Sequence, residues 1–233
     1  DSDYKIVMVE NYSYNSYGLL SQISKTFDGD SYQTLLKYPF DIQNMVCKTM
    51  VRNNVLNEPM EILELKNGYV INGQKKECGD TLNMFLTKAM YRLSATQPLS
   101  QSSYSSAYYK FKTFDKYDNY GNLVQYTENG IPTVYIWGYG CQYPIAEVRN
   151  SYYNTVYSLL GGENAVLTFG NRLQLTDAEI KTFLSPISDG RLSSASVSIY
   201  AHNPLVGIQC ITTPFGYSTN FGYDSGNRLN SVK

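Results

Sequence analysis

Three features of the sequence predict a mainly β protein, an antiparallel strip of β-hairpins arranged as an open sheet or a partial β-solenoid or shell. Turn signals recur between apolar runs, tyrosine is very abundant, and one short segment returns three times. The clearest unit is YDNYGNLVQYTENGIPTVYIW, residues 117–137, which reads as strand, turn, strand. In its first turn, Asp118 and Asn119 can bond back to nearby backbone, and Gly121 takes a positive φ without steric cost. The second turn, Glu128-Asn129-Gly130, carries the Asn-Gly pair that is the strongest short-range hairpin signal. Leu123, Tyr126, Val134, Ile136 and Trp137 are spaced to give the hairpin one core face and one aromatic face.

The chain has 23 Tyr, 9 Phe and 1 Trp against a charged fraction of 17%, and Tyr suits a pleated, half-buried surface. With 19 basic and 20 acidic residues it carries no field that would gather nucleic acid or an anionic membrane. No apolar run approaches the roughly 20 residues needed to span a bilayer, so this segment is expected to make no membrane contact. At 233 residues the chain can bury a substantial core and is read as a single β-rich domain, with both ends cut from a longer chain. Four cysteines, Cys47, Cys78, Cys141 and Cys210, lack any C-x-x-C pair, which argues against zinc. One or two disulfides fit an oxidising compartment; the wide, irregular spacing reads better as buried free thiols.

Taken in order, residues 1–40 hold a strand at 4–10 and a first hairpin around Phe27-Asp28-Gly29-Asp30. Residues 41–57 hold a helix over 42–53, with Asp41 as its N-cap. Residues 58–150 are hairpins: EPMEILEL, a turn at Lys66-Asn67-Gly68, its return over 69–78, a strand at 84–93, a Ser- and Gln-rich loop at 94–106, and the central unit. Residues 151–192 form a helical insertion, with a stop at Gly161-Gly162 and a capping box at Thr176 and Glu179 that opens a helix ending before Pro186. Residues 193–233 close the chain with a last hairpin.

The returning segment is YNSYGLL (Tyr14, Asn15, Gly18, Leu20), YDNYGNL (Tyr117, Asp118, Gly121, Leu123) and YDSGNRL (Tyr223, Asp224, Asn227, Leu229). Asn227 stands where the other copies have glycine, and Asn is the residue that best replaces glycine in a left-handed conformation. Units that cannot bury a face alone stack into an extended sheet, barrel or solenoid.

Little points to a reaction. His202 is the one histidine, in YAHNPLVG, where a turn or packing role explains it. Glu61 and Glu64 are three apart in a strand, hence on opposite faces, and cannot form an acid/base pair. Asp28 and Asp30 straddle Gly29 in a turn and could hold a cation weakly, but a plain turn accounts for them better. Asp118 and Asp224 have a structural task in accepting backbone N–H bonds. Neither a cofactor nor a metal motif is present. The best ligand-binding candidates are Tyr135, Trp137, Tyr139 and Tyr143: the first three share a face if the strand stays regular, and rings at strand spacing stack on successive sugars, although a core anchor under the helical insertion is the better reading of a lone Trp137 in a glycine-flanked bend.

The repeated Y-D-x-x-G-x-L signature, with WGYGCQYPIAEVRN, YAHNPLVGIQCITTPFGYSTNFGYDSGNRL and YPFD at 38–41, resembles the YD-repeat, RHS-like family, and in particular the large secreted YD-repeat proteins of Bacteroidetes. The first copy departs in having Asn15 for Asp, the third in having Asn227 for Gly. The resemblance implies a strip of hairpins that spirals into a shell in long members, an extracellular or cell-surface location, the remaining repeats of a parent protein as partners, and no catalytic residues in the repeat. The expected function is therefore a non-enzymatic structural segment, part of a β-hairpin wall or surface scaffold. A carbohydrate-binding surface module with glycan as partner is the alternative, and an enzyme of unknown type the third reading.

Overall fold

The computed structural model describes residues 8–81 and 83–233, so most of the strand expected over 4–10 lies outside the described residues. The fold is mainly β, an open antiparallel arrangement of hairpins with a few short helices, and it divides into two compact units, residues 1–113 and 114–233.

In the first unit the strands β1 (Glu10–Tyr14), β2 (Leu20–Phe27), β3 (Asp30–Lys37), β4 (Glu61–Lys66), β5 (Tyr69–Thr81), β6 (Met84–Leu93) and β7 (Tyr108–Tyr117) each pair antiparallel with the next in the chain. The last residues of β7 belong to the second unit. Helix α1 (Met45–Arg52) is shorter than expected and is capped by Asn44, whose Oδ1 accepts the Cys47 N–H at 2.8 Å. Asp41 is not its cap. Pro39 opens a 3₁₀ turn over Pro39–Asp41, and there Asp41 accepts the Tyr38 N–H at 2.9 Å, so its carboxylate is already used three residues before the N-cap position of the helix. The Cys47 and Met50 side chains of α1 bury against Met60 and Cys78. A second core, Leu63, Leu65 and Val70, is covered by the Ser- and Gln-rich segment, which is tied down by a backbone bridge between Val70 and Leu99 and by the packing of Tyr104 and Tyr108.

In the second unit β8 (Leu123–Glu128), β9 (Ile131–Gly138), β10 (Tyr143–Arg149), β11 (Ser196–Asn203), β12 (Gly207–Thr212), β13 (Ser218–Tyr223) and β14 (Leu229–Val232) again pair in chain order. Between β10 and β11 come α2 (Tyr153–Leu159), α3 (Glu163–Gly170) and α4 (Asp177–Ser188). They lie on one face of the sheet, where Val134, Ile136, Ala146, Val148 and Ile199 bury against Val156, Ile180, Leu184 and Ile187. A strand side chain caps α2: Gln125 Oε1 accepts the Tyr153 N–H at 2.7 Å. The Thr176 and Glu179 capping box opens α4, but that helix continues through Pro186 to Ser188. The ring removes one hydrogen bond from the last turn; burial of Leu184 and Ile187, 0% and 1% exposed, outweighs that loss. All four cysteines are free and buried.

The repeated turns share one hydrogen-bond scheme. In each, the N–H of the Asx residue bonds the carbonyl four residues on, at 2.9 Å for Asn15, Asp118 and Asp224, while its Oδ1 accepts the N–H groups two and four residues on at 2.8–3.1 Å. The fourth residue accepts left-handed φ: +74° at Gly18, +84° at Gly121, +59° at Asn227. A further turn of the same shape sits at Thr213-Pro214-Phe215-Gly216-Tyr217, with the Thr213 N–H on the Tyr217 carbonyl at 2.8 Å and Gly216 at φ +84°. Its Thr213 hydroxyl is buried without a partner, so this copy has the backbone path and lacks the side-chain acceptor.

Replacing Thr213 by Asp should supply an acceptor for the Phe215 and Tyr217 amides and raise stability by about 0.5–1 kcal/mol. Asp118→Ala, which strips the same acceptor from its turn, should cost about 1–3 kcal/mol; denaturant unfolding of the two variants beside the parent chain checks both signs.

Candidate functional site

The antiparallel register of the first unit sets Lys37, Glu61, Lys75, Tyr91 and Lys110 opposite one another across β3 to β7. Glu61 shares the inward parity of Leu63 and Leu65 and is 7% exposed, whereas Glu64 faces out and accepts the Asn72 amide at 3.1 Å. A buried carboxylate is costly unless its oxygens are satisfied. Here Oε2 accepts from Lys37 Nζ at 2.7 Å and from the Tyr104 hydroxyl at 3.3 Å, and Oε1 accepts from the Tyr108 hydroxyl at 2.9 Å. Lys37 also donates to the Tyr104 oxygen at 2.8 Å. Burial works to lower the Lys37 pKa, but the bonds to Glu61 and Tyr104 outweigh it and hold the ammonium above its ordinary range. Burial, reinforced by Glu61, pushes the Tyr108 phenol up.

Lys75 lies directly across from Glu61 yet does not pair with it. Its ammonium rests 4.4 Å from the Tyr108 ring centre and 5.0 Å from that of Tyr91, within cation–π range. The Tyr91 hydroxyl donates to Glu77 Oε2 at 2.8 Å. Beside this row a hollow of about 380 Å³ opens, lined among others by Ile42, Met60, Lys75, Glu77, Tyr91 and Tyr104. Sequence reasoning placed Glu61 and Glu64 on opposite faces but did not single out Glu61 as a site residue. The available signal was an acidic residue at the parity of two leucines in EILEL.

The ring candidates of the second unit separate into two groups. Tyr135 and Trp137 stand half-buried on the face of β9 opposite Val134 and Ile136. Tyr135 lies 6.0 Å from the Tyr126 ring, and burial, then Glu147, pushes its phenol up. The Trp137 indole N–H is committed to the Leu123 carbonyl at 2.9 Å. At Gly138 the strand ends, and with it the alternation that would keep Tyr139 on the same face.

Tyr139, Gly140 and Cys141 all have positive φ, 55°, 71° and 59°, and the Gln142 N–H bonds the Gly138 carbonyl at 3.0 Å. This is one turn of left-handed helix, a conformation that costs roughly 1–2 kcal/mol per non-glycine residue. The Gly170 carbonyl at the end of α3 offsets part of that cost by accepting the N–H groups of Gly140 and Cys141 at 2.9 and 3.1 Å. The turn delivers Tyr139 into the interior, 3% exposed, where its hydroxyl accepts the His202 N–H at 2.8 Å. Tyr143 meets the Tyr139 ring edge-on at 6.0 Å and the His202 ring at 5.0 Å, and its hydroxyl accepts the Leu205 N–H at 3.2 Å. The His202 Nε2 pairs with the Pro144 carbonyl at 2.8 Å, which selects the tautomer protonated there, and burial holds its pKa below the usual imidazole value.

A cleft of about 770 Å³ lies beside Tyr139 and His202, edged by the paired Arg172 and Glu179. Arg172, then the Thr176 bonds, holds the Glu179 carboxyl down at about 2. Of the paired acids considered at the outset, Asp28 stays in its turn at φ +49°, and Asp30 pairs with Lys66 at 2.6 Å and Asn67 at 2.7 Å, so the two do not converge.

No protein-family model matches the chain, and no curated protein matches it. Solved structures do. The crystal structure of TcdB2-TccC3 without its hypervariable C-terminal region is 9% identical, with a TM-score of 0.43 over 97% of this chain and 10% of that one. The Photorhabdus luminescens Tc holotoxin pore with a substituted TccC3 is 9% identical at a TM-score of 0.37, over 94% and 11%. TcdB2-TccC3-TEV gives 9% and 0.26 over the same shares. The chain thus spans about a tenth of the length of these solved chains.

Gly170→Ala would set its Cβ 2.6 Å from the Trp137 carbonyl oxygen, a backbone atom, and should lower stability by about 1–3 kcal/mol in a denaturant titration. Glu61→Gln leaves Lys37 without its charge partner and should cost a similar amount, about 1–3 kcal/mol. Because the folded Glu179 pKa lies below its unfolded value, its contribution is full above the ordinary carboxylate range and disappears as pH falls through about 2. A side-chain carboxyl titration by NMR should find Glu179 still ionised where exposed glutamates are half protonated.

Proposed function

We propose that the chain is a non-enzymatic scaffold, a wall segment of β-hairpins within a larger extracellular YD-repeat, RHS-like protein. The observation that carries this reading is the turn scheme at Asn15, Asp118, Thr213 and Asp224: one five-residue turn, reused, joins β1 to β2, β7 to β8, β12 to β13 and β13 to β14. Such a unit has no natural end. β1 and β14 each pair on one side, and among the described residues no strand covers the other. Both strands are largely exposed, with Tyr12, Tyr14, Leu229 and Val232 more than half open to solvent. Unprotected edges of this kind invite a further strand, and adjoining hairpins of a parent protein are the partner they fit.

The acids that a hydrolytic reading would recruit are engaged in structural bonds: Asp118 and Asp224 in their turns, Glu61 with Lys37, Tyr104 and Tyr108. Glycan stacking on four rings is not favoured by the placement of Tyr139 and Tyr143, whose hydroxyls hold backbone amides of 202 and 205.

The test is association through the edges. Asn220 and Lys233 exchange both backbone hydrogen bonds, so by antiparallel alternation the Val232 N–H points away from β13. Sedimentation of the isolated chain should show mass rising with concentration, and Val232→Pro, which removes an outward donor and no internal one, should shift the chain toward monomer. A parent chain that stays monomeric while its β1 and β14 amides are strongly protected from hydrogen exchange would overturn the proposal.

A further inference from the structure

We propose that the hollow of the first unit binds a small zwitterion, a free amino acid with an apolar side chain, with Lys75 taking its carboxylate and Glu77 its amine. Lys75 and Glu77 are two residues apart on β5, so they project from one face, about 7 Å apart along the strand. Tyr91 connects them, its ring under the Lys75 ammonium at 5.0 Å and its hydroxyl on the Glu77 carboxylate at 2.8 Å. Among the described residues neither has an ionic partner.

The other charged residues that line the hollow differ in this respect. Glu61 is paired with Lys37, and Lys76 with Glu58. Glu61 is also saturated by Tyr104 and Tyr108, and so has little capacity left for a ligand amine. The wall therefore presents one uncommitted cation and one uncommitted carboxylate on either side of an aromatic ring. A simple anion or cation would neutralise one of them, and a sugar, having no charge, neither. Ile42, Met60 and Tyr104 supply apolar lining for a side chain. The volume of about 380 Å³ is at the small end for ligand sites, room for one amino acid and too little for an extended peptide.

The experiment is calorimetric titration of the whole chain with L-leucine, L-methionine and L-phenylalanine, each beside its own carboxamide, which lacks the carboxylate, and its own N-acetyl derivative, which lacks the charged amine, and with glucose. At least one free amino acid should bind, and the matching derivatives at least about tenfold more weakly. Lys75→Met should weaken the amino acid by at least about tenfold without further weakening the carboxamide, Glu77→Gln should do so without further weakening the N-acetyl form, and Lys75→Arg should keep binding. Unchanged unfolding midpoints establish that the variants remain folded. Absence of binding by all three amino acids at millimolar concentration, binding of glucose instead, or losses that are the same for amino acid and derivatives would each overturn the assignment. None of these outcomes bears on edge association, so the scaffold reading stands or falls separately.

Discussion

A chain that must reverse direction after every strand leaves backbone amides at each reversal, and how those amides are satisfied governs the rest of this molecule. In three of the four five-residue turns a single Asx oxygen accepts two N–H groups, and the residue in left-handed φ closes the loop. The turn is thus complete without help from elsewhere, and it fixes the register of the strands on either side. Register in turn decides which side chains face inward, because a slip of one residue inverts every face. At Thr213 the same path survives without the side-chain acceptor. The path is therefore held there by its backbone bonds and by Gly216, with the Asx oxygen adding stability to a geometry the backbone already allows.

Much of this was legible in the sequence, because it is local. The hairpin at 117–137, the core and aromatic faces of β9 and the capping box at Thr176 each depend on residues a few positions apart. The errors also have local causes. Asp41 is a good N-cap residue, but Pro39 claims it for a 3₁₀ turn, and Asn44 takes the role three residues later. Pro186 reads as a helix stop, yet two buried side chains of the same last turn hold the helix together past it. The turn at Thr213 is not recognisable in the sequence as a copy of the repeat, since the residue that marks the others is absent.

The candidate sites were less legible, for a reason that follows from their construction. The Glu61 row is assembled from five strands, with partners 24 to 47 positions away in the chain. Nothing in a local window distinguishes Glu61 from Glu64 except parity. The left-handed turn at Tyr139–Cys141 is a similar case. Two of its three residues are unfavourable there, and what stabilises them is a carbonyl of Gly170, which no local pattern can supply. Strain of this kind persists when the surroundings over-determine it.

The two units reach burial by different means, and that difference accounts for where the polar chemistry sits. In the second unit three helices lay apolar stripes on the sheet, and the inward positions are accordingly Val, Ile and Ala. In the first, part of the sheet is covered by a Ser- and Gln-rich segment whose contribution is Leu99 and Tyr104. A cover that is poor in apolar side chains cannot bury a fully apolar face. Tyrosines serve here because each presents a ring to Leu63 and Leu65 and a hydroxyl to a polar neighbour. Once Tyr104 and Tyr108 bring two hydroxyls inside, an inward carboxylate has donors waiting, and Lys37 supplies the charge that makes its burial tolerable. The Glu61 network is in this sense a consequence of the loop above it, and the uncommitted Lys75 and Glu77 lie where that loop leaves the sheet incompletely covered.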